Sequence, residues 1–131
     1  MPLDVDHDTA IDRVKASVSS ILNHSMRFGL EGKLLPDDMK KTVQDYVDGY
    51  ELYDHVLHAG RNPKRMDELG LTDYALRRFA LAGAPRDWIA RIEQLADAGV
   101  TQIWTTLGGA GLDRQLRDLR LIGEEVMPRF L

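Results

Sequence analysis

The sequence predicts an α/β fold, mostly helical, with about two parallel strands near its C-terminal end. Apolar residues recur at steps of three and four along most of the 131 residues, which is the spacing of one helical face. Two short runs break that rhythm, "FALAG" at 79–83 and "VTQIWTT" at 100–106, and the second carries the branched and aromatic residues that strands prefer. Between them "PRDWIARIEQLADAG" reads as one amphipathic helix opened by proline and closed by glycine. Together the three pieces predict a β-α-β unit with a right-handed crossover.

The elements follow in order. "PLDVD" alternates apolar and acidic residues and reads as the tail of a strand. From Asp8, with Asp8 or Thr9 as N-cap, the positions Ile11, Val14, Val18, Ile21 and Leu22 predict a helix to about Arg27. "GLEGKLLPDD" is a connection, and Pro36, Asp37 and Asp38 have the composition of a first helical turn. A long helix is expected next, with Met39, Val43, Tyr46, Tyr50, Tyr53 and Leu57 forming a narrow seam. That helix crosses Gly49, and its tyrosines need hydroxyl partners. A short helix from Pro63 to Leu69, stopped by Gly70, precedes a helical turn at Thr72-Asp73. Phe79 to Ala82 is the first strand. Trp88, Ile89, Ile92, Leu95 and Ala96 face inward from the next helix, and Gly99 is its left-handed cap. After the second strand and the loop "LGGAGLD", a last helix carries Leu112, Leu116, Leu119, Ile122 and Val126 up to Pro128.

Composition narrows the function. A hydrophobic fraction of 44% with 29% charged residues describes an ordinary soluble globular domain. The 17 Lys and Arg against 21 Asp and Glu give a formal charge of -4, which argues against a nucleic-acid partner. Even the densest basic group, Arg61, Lys64 and Arg65, sits beside Asp67 and Glu68. The absence of cysteine excludes disulfides, thiolate catalysis and cysteine-ligated metal centres. No leader-like start and no apolar stretch of spanning length are present, so the expectation is a cytoplasmic protein with no membrane partner.

"RRFALAGAPRDWIARIEQLADAGVTQIWTTLGG", with the closing "IGEEVMPRFL", resembles the C-terminal quarter of the luciferase-like flavin- or deazaflavin-dependent oxidoreductases, the bacterial luciferase-like monooxygenases. Gly83-Ala84-Pro85 stands where that family has Gly-Thr-Pro, Ala98-Gly99-Val100-Thr101 where it has Ala-Gly-Val/Phe-Asp, and Glu124-Glu125-Val126-Met127-Pro128 matches its acidic close. "YELYDHVLHAG", Tyr50 to Gly60, resembles the helix of the insertion before the seventh strand, and "PLDVDHDTAIDRV" the end of the sixth strand with its helix. The resemblance implies the C-terminal part of a (β/α)8 barrel, incomplete, in one domain. Residues 1–28 would be a strand end and helix, 29–77 a helical insertion and 78–131 a β-α-β-α barrel end.

The resemblance further implies a reaction with reduced FMN or deazaflavin. Because much of the family's site comes from the first six strands, the chain alone is expected to bind no cofactor and to be inactive. A homo-oligomer, or a partner chain supplying the missing strands, is expected to complete it. The alternative is a non-catalytic helical assembly module that pairs its seam and open strand edges with itself or another chain.

Barrel enzymes place their sites at the C-terminal ends of strands. That puts Gly83, Arg86, Thr105, Gly108 and Gly109 forward as cofactor-binding candidates. Backbone N–H groups at Arg86 and Asp87 would face an anion at a helix N-terminus, and the glycines would admit a ligand close to the backbone. The plainer reading is that the glycines only turn the chain and that Asp87 caps its own helix. Ala84 also lacks the family's threonine hydroxyl. His55 and His58 share a helical face near Asp54, but no third ligand suggests a metal, and both suit a helix C-terminus. The resemblance brings His55 toward the substrate mouth, which makes it the substrate-contacting candidate. Arg77 and Arg78 lie at the other end of the first strand, and Trp88 and Trp104 fall at core or interface positions. No catalytic residue is assigned, since Ser17, Ser19, Ser20 and Ser25 have no nucleophile elbow around them.

Overall fold

Helical periodicity becomes six α-helices among residues 7–55, 60–105 and 111–131, the part of the chain described by a computed structural model. They are α1 (His7–Met26), α2 (Lys40–Asp48), α3 (Arg61–Glu68), α4 (Thr72–Phe79), α5 (Pro85–Asp97) and α6 (Leu112–Leu121). Short 3-10 turns lie at Asp37–Met39, Leu52–Asp54 and Met127–Arg129, and a π turn at Ile122–Val126. The residues group into two compact units, one of 1–14 with 81–131 and the other of 15–80, so α1 contributes turns to both.

The two expected strands are not formed. Among the described residues there is no strand beyond a one-residue bridge at Gly83, so the fold is not part of a (β/α)8 barrel with parallel strands. Phe79 closes α4 instead of opening a strand. Ala80 is extended, with φ -124° and ψ 148°, yet the stretches 80–82 and 101–105 build no ladder. The reason is physical. Branched residues favour extended backbone, but a strand exists only through hydrogen bonds to a neighbour, which a local pattern cannot provide. The strand tail expected in "PLDVD" lies outside the described residues.

In the 15–80 unit, the α1 residues Val18, Leu22 and Met26 are buried, as are Leu35, Val43, Tyr46, Met66, Leu71 and Ala75. Each large apolar side chain so removed from water contributes about 1.5–3 kcal/mol. Gly70, at φ +67°, ends α3 in a Schellman motif: its N–H donates to the Asp67 carbonyl at 2.9 Å and the Leu71 N–H to the Met66 carbonyl at 2.9 Å. The two residues that accompany this motif, Met66 and Leu71, are both buried.

The long helix expected through Gly49 stops at Asp48. Two residues of α3 explain the break. A Cβ at Gly49 would lie 2.5 Å from the Arg65 guanidinium carbon, and that guanidinium donates to the Asp45 carbonyl at 2.9 Å. Buried Asn62 then holds both backbone groups of Glu51, accepting from its N–H at 2.9 Å and donating to its carbonyl at 2.8 Å. With those groups satisfied from outside, the helix has no reason to continue. The expected seam holds for Val43 and Tyr46 and ends before Tyr53, which is 97% exposed. Its last member, Leu57, lies outside the described residues.

In the other unit the buried cluster is Leu81, Trp88 and Val126, with Ile89, Ile92, Leu95, Leu121 and Ile122 packed against it. Gly99, at φ +88°, caps α5 as expected, in the same Schellman arrangement as Gly70: Gly99 N–H to Ala96 and Val100 N–H to Leu95, both 2.9 Å. Asp118 on α6 is buried and accepts from the Arg13 guanidinium at 2.8 Å. The expected apolar face of the last helix divides. Leu112, Leu116 and Leu119 are 70%, 44% and 53% exposed, while Val126, the last residue of the π turn, is in the core.

Candidate functional site

Residues bearing chemistry gather at three places, two in the 1–14/81–131 unit and one in the 15–80 unit. The first is the start of α5. Pro85 occupies its first turn and Ala84 its N-cap, so the cap residue offers no side-chain acceptor. Asp87 takes over, its Oδ2 accepting the Ala84 N–H at 2.8 Å and facing His7 Nδ1 at 3.0 Å. The Asp87 N–H is already donated to the Ala84 carbonyl at 2.9 Å. Burial alone would raise the Asp87 carboxyl, but hydrogen bonds from His7 and Ala84 and the charges of His7 and Arg86 outweigh it and hold the group below the usual carboxylate range. Gly83 is needed here twice over. Its φ is +121°, and a Cβ would lie 2.5 Å from Asp87 Oδ2 and 3.0 Å from His7 Nδ1. The carboxylate therefore occupies the place that an external anion would use. The Arg86 side chain is exposed, with its Nε 3.8 Å from Asp87 Oδ1.

The second place is an apolar cleft of about 390 Å³. Trp88, Ile92 and Ala96 of α5 form one wall, the segment Val100–Ile103 with Thr105 another, and Ile122, Val126, Met127 and Phe130 a third. Its volume suits a small molecule. Among the described residues only Thr101, Gln102 and Thr105 bring polar groups besides the indole of Trp88, whose Nε1–H is buried and meets no acceptor among them. No lysine, arginine or histidine among the described residues lines it.

The third place surrounds His55. Its Nδ1 lies 2.8 Å from the Tyr50 hydroxyl, which lies 3.2 Å from Ser20 Oγ; Ser20 in turn donates to the Ala16 carbonyl at 3.0 Å. Tyr46 supports Tyr50 edge-on, with ring centroids 5.9 Å apart, and donates to the Ser19 carbonyl at 2.9 Å. Burial pushes the Tyr46 hydroxyl well above the ordinary phenol range, against the smaller opposing effect of that hydrogen bond, and keeps it a donor. Asp54 accepts the Arg61 N–H at 3.0 Å, and Arg61 also faces Glu51 at 3.6 Å.

Of the residues expected from the sequence, Gly83 and Arg86 meet at the start of α5, Thr105 lines the cleft, and His55 stands in the other unit. Gly108, Gly109 and His58 lie outside the described residues. Sequence reasoning missed the part played by three residues: Ser20, weighed only as a nucleophile and set aside for want of an elbow; Asp118, which pairs with a residue 105 positions away; and His7. The need of the seam tyrosines for hydroxyl partners was the one signal that led toward Ser20. Among the described residues no group of three His, Asp or Glu could hold a metal ion, and no helix is long and apolar enough to cross a membrane.

No family model matches the chain, and no solved structure matches it. It is similar to the 5,10-methylenetetrahydromethanopterin reductase of Archaeoglobus fulgidus, with 28% identity over 137 aligned residues that cover 99% of this chain and 36% of that protein. The chain thus spans little more than a third of the length of the curated relative it matches. A reductase as relative agrees with the oxidoreductase class that the sequence resemblance implies.

Proposed function

We propose that this chain serves an oxidoreductase of the luciferase-like kind, one that uses reduced flavin or deazaflavin, and that it does so within a larger assembly rather than by holding the cofactor alone. The observation that carries the class is the similarity to a reductase along 99% of this chain. The described residues do not fit the phosphate of such a cofactor. The α5 N-terminus is filled by Asp87, Ala84 has no hydroxyl there, and the cleft offers no cation. What the cleft does suit is the apolar body of a small substrate, oriented by Thr101, Gln102 or Thr105. Calorimetry of the chain alone with FMN and with a deazaflavin is expected to give no saturable binding and no change in Tm. Saturable micromolar binding of either would overturn the assembly part of the reading.

A second reading, a non-catalytic assembly module, draws support from the open face of α6. Leu112, Leu116 and Leu119 lie at helical spacing and all three are exposed, as is Trp104 at 86% in the same unit. Apolar stripes of this kind mark association surfaces. Sedimentation equilibrium is expected to show a mass that rises with concentration, and Leu116→Asp to lower it. A mass fixed at 14.8 kDa across the concentration range would exclude self-association.

A further inference from the structure

We infer that His55 is held as its Nδ1–H tautomer by Tyr50 and Ser20, so that Nε2 is presented as a bare acceptor for an O–H or N–H group of a ligand. The argument is a count of protons along the three contacts. The Ala16 carbonyl can only accept, so Ser20 donates to it at 3.0 Å. Ser20 Oγ, its proton thus used, accepts from the Tyr50 hydroxyl at 3.2 Å. Tyr50 has one proton and has now placed it, so the 2.8 Å contact with His55 is a hydrogen bond only if Nδ1 carries the proton. The reverse order, Ser20 to Tyr50 to a bare Nδ1, gives up the bond to Ala16 and makes two hydrogen bonds where the first makes three.

The arrangement also has the supports that a positioned imidazole needs. Tyr50 stands edge-on to both neighbours, its ring 5.9 Å from Tyr46 and 6.1 Å from His55. Ser20 is buried, while His55 is exposed and its Nε2 meets no partner among the described residues. An oriented imidazole with one nitrogen engaged and the other open is the general form of a proton acceptor set by a second group. Tyr50 and Ser20 are its positioning residues. The inference stands on the 15–80 unit alone and does not depend on the oxidoreductase reading.

The test is long-range ¹H–¹⁵N correlation NMR on the labelled chain, at a pH above the imidazole titration. His24, exposed on α1, is the internal control for an unheld side chain. His55 is expected to show a protonated-type Nδ1 and a bare-type Nε2, with His24 showing the averaged pattern of a free imidazole. Tyr50→Phe is expected to return His55 to the pattern of His24. Ser20→Ala is the sharper variant, because it frees the Tyr50 proton to turn toward Nδ1 and should invert the tautomer to Nε2–H. A wild-type His55 with a bare Nδ1, or a tautomer that Ser20→Ala leaves unchanged in a folded protein, would overturn the inference.

Discussion

The two units use the same device to end a helix and differ in what they put behind it. Gly70 and Gly99 each close a Schellman motif with paired 2.9 Å bonds. In the 15–80 unit the accompanying residues Met66 and Leu71 are fully buried, whereas in the other unit Val100 remains 40% exposed. The contrast is general. The 15–80 unit buries a run of large side chains from α1 to Leu71, while the other unit buries Ala10, Val14, Leu81, Trp88 and Val126, ties Asp118 to Arg13, and leaves Leu112, Leu116 and Leu119 of α6 exposed. Correct caps fix where helices stop, and the stability gained behind them depends on what each helix finds to pack against.

That contrast can be broken in a graded way. Tyr46→Ala removes a fully buried ring together with its bond to Ser19. It is expected to cost about 3–5 kcal/mol in urea denaturation, the range for large aromatic truncations. Asp118→Ala is expected to cost about 3 kcal/mol, since removing one partner of a buried ion pair is strongly destabilising. A loss below 1 kcal/mol, read the same way, would mean that the pair contributes nothing to its unit.

Smaller changes sharpen the comparison. Ala84→Thr restores an N-cap acceptor to α5, with Asp87 already in the reciprocal position, and is expected to add about 1 kcal/mol. Asp87 itself is expected to give a pH signature. Its folded carboxyl is held low, so its stabilisation is complete above the ordinary aspartate value of about 3.9 and is lost as pH falls through the lowered folded value. The stability difference between the wild type and Asp87→Asn should therefore hold above about pH 3.9 and shrink as the pH falls below it. Leu116→Ala on the open face is expected to change monomer stability by less than about 0.5 kcal/mol, the usual effect at a surface site.

Legibility in the sequence follows the range of the interaction. α1, α5 and the caps at Gly70 and Gly99 could be read because spacing, proline and glycine act within one or two turns. The strands could not, because "FALAG" and "VTQIWTT" carry only a preference for extension and their pairing partners are non-local. The break at Gly49 depends on Arg65 and Asn62, more than ten residues away, and α2 gives no hint of them. At the candidate sites His55 and Gly83 were legible as residues, but their surroundings were not. Tyr50 and Ser20 meet across 30 positions, and the carboxylate that fills the α5 N-terminus was legible only as one of two readings.

The π turn at Ile122–Val126 carries a last consequence. A wide turn of this kind amounts to one extra residue set into an α-helix, and each residue of a helix advances it by about 100°. Upstream, Leu112, Leu116 and Leu119 of α6 look outward; within the turn Ile122 and Val126 line the cleft and meet Trp88's cluster. Deleting Gly123 alone, with no change of hydrophobicity or charge, would rotate Val126, Met127 and Phe130 together by about a quarter turn. One wall of the cleft thus depends on a residue count rather than on any residue's chemistry, and a single codon lost or gained would open or close it.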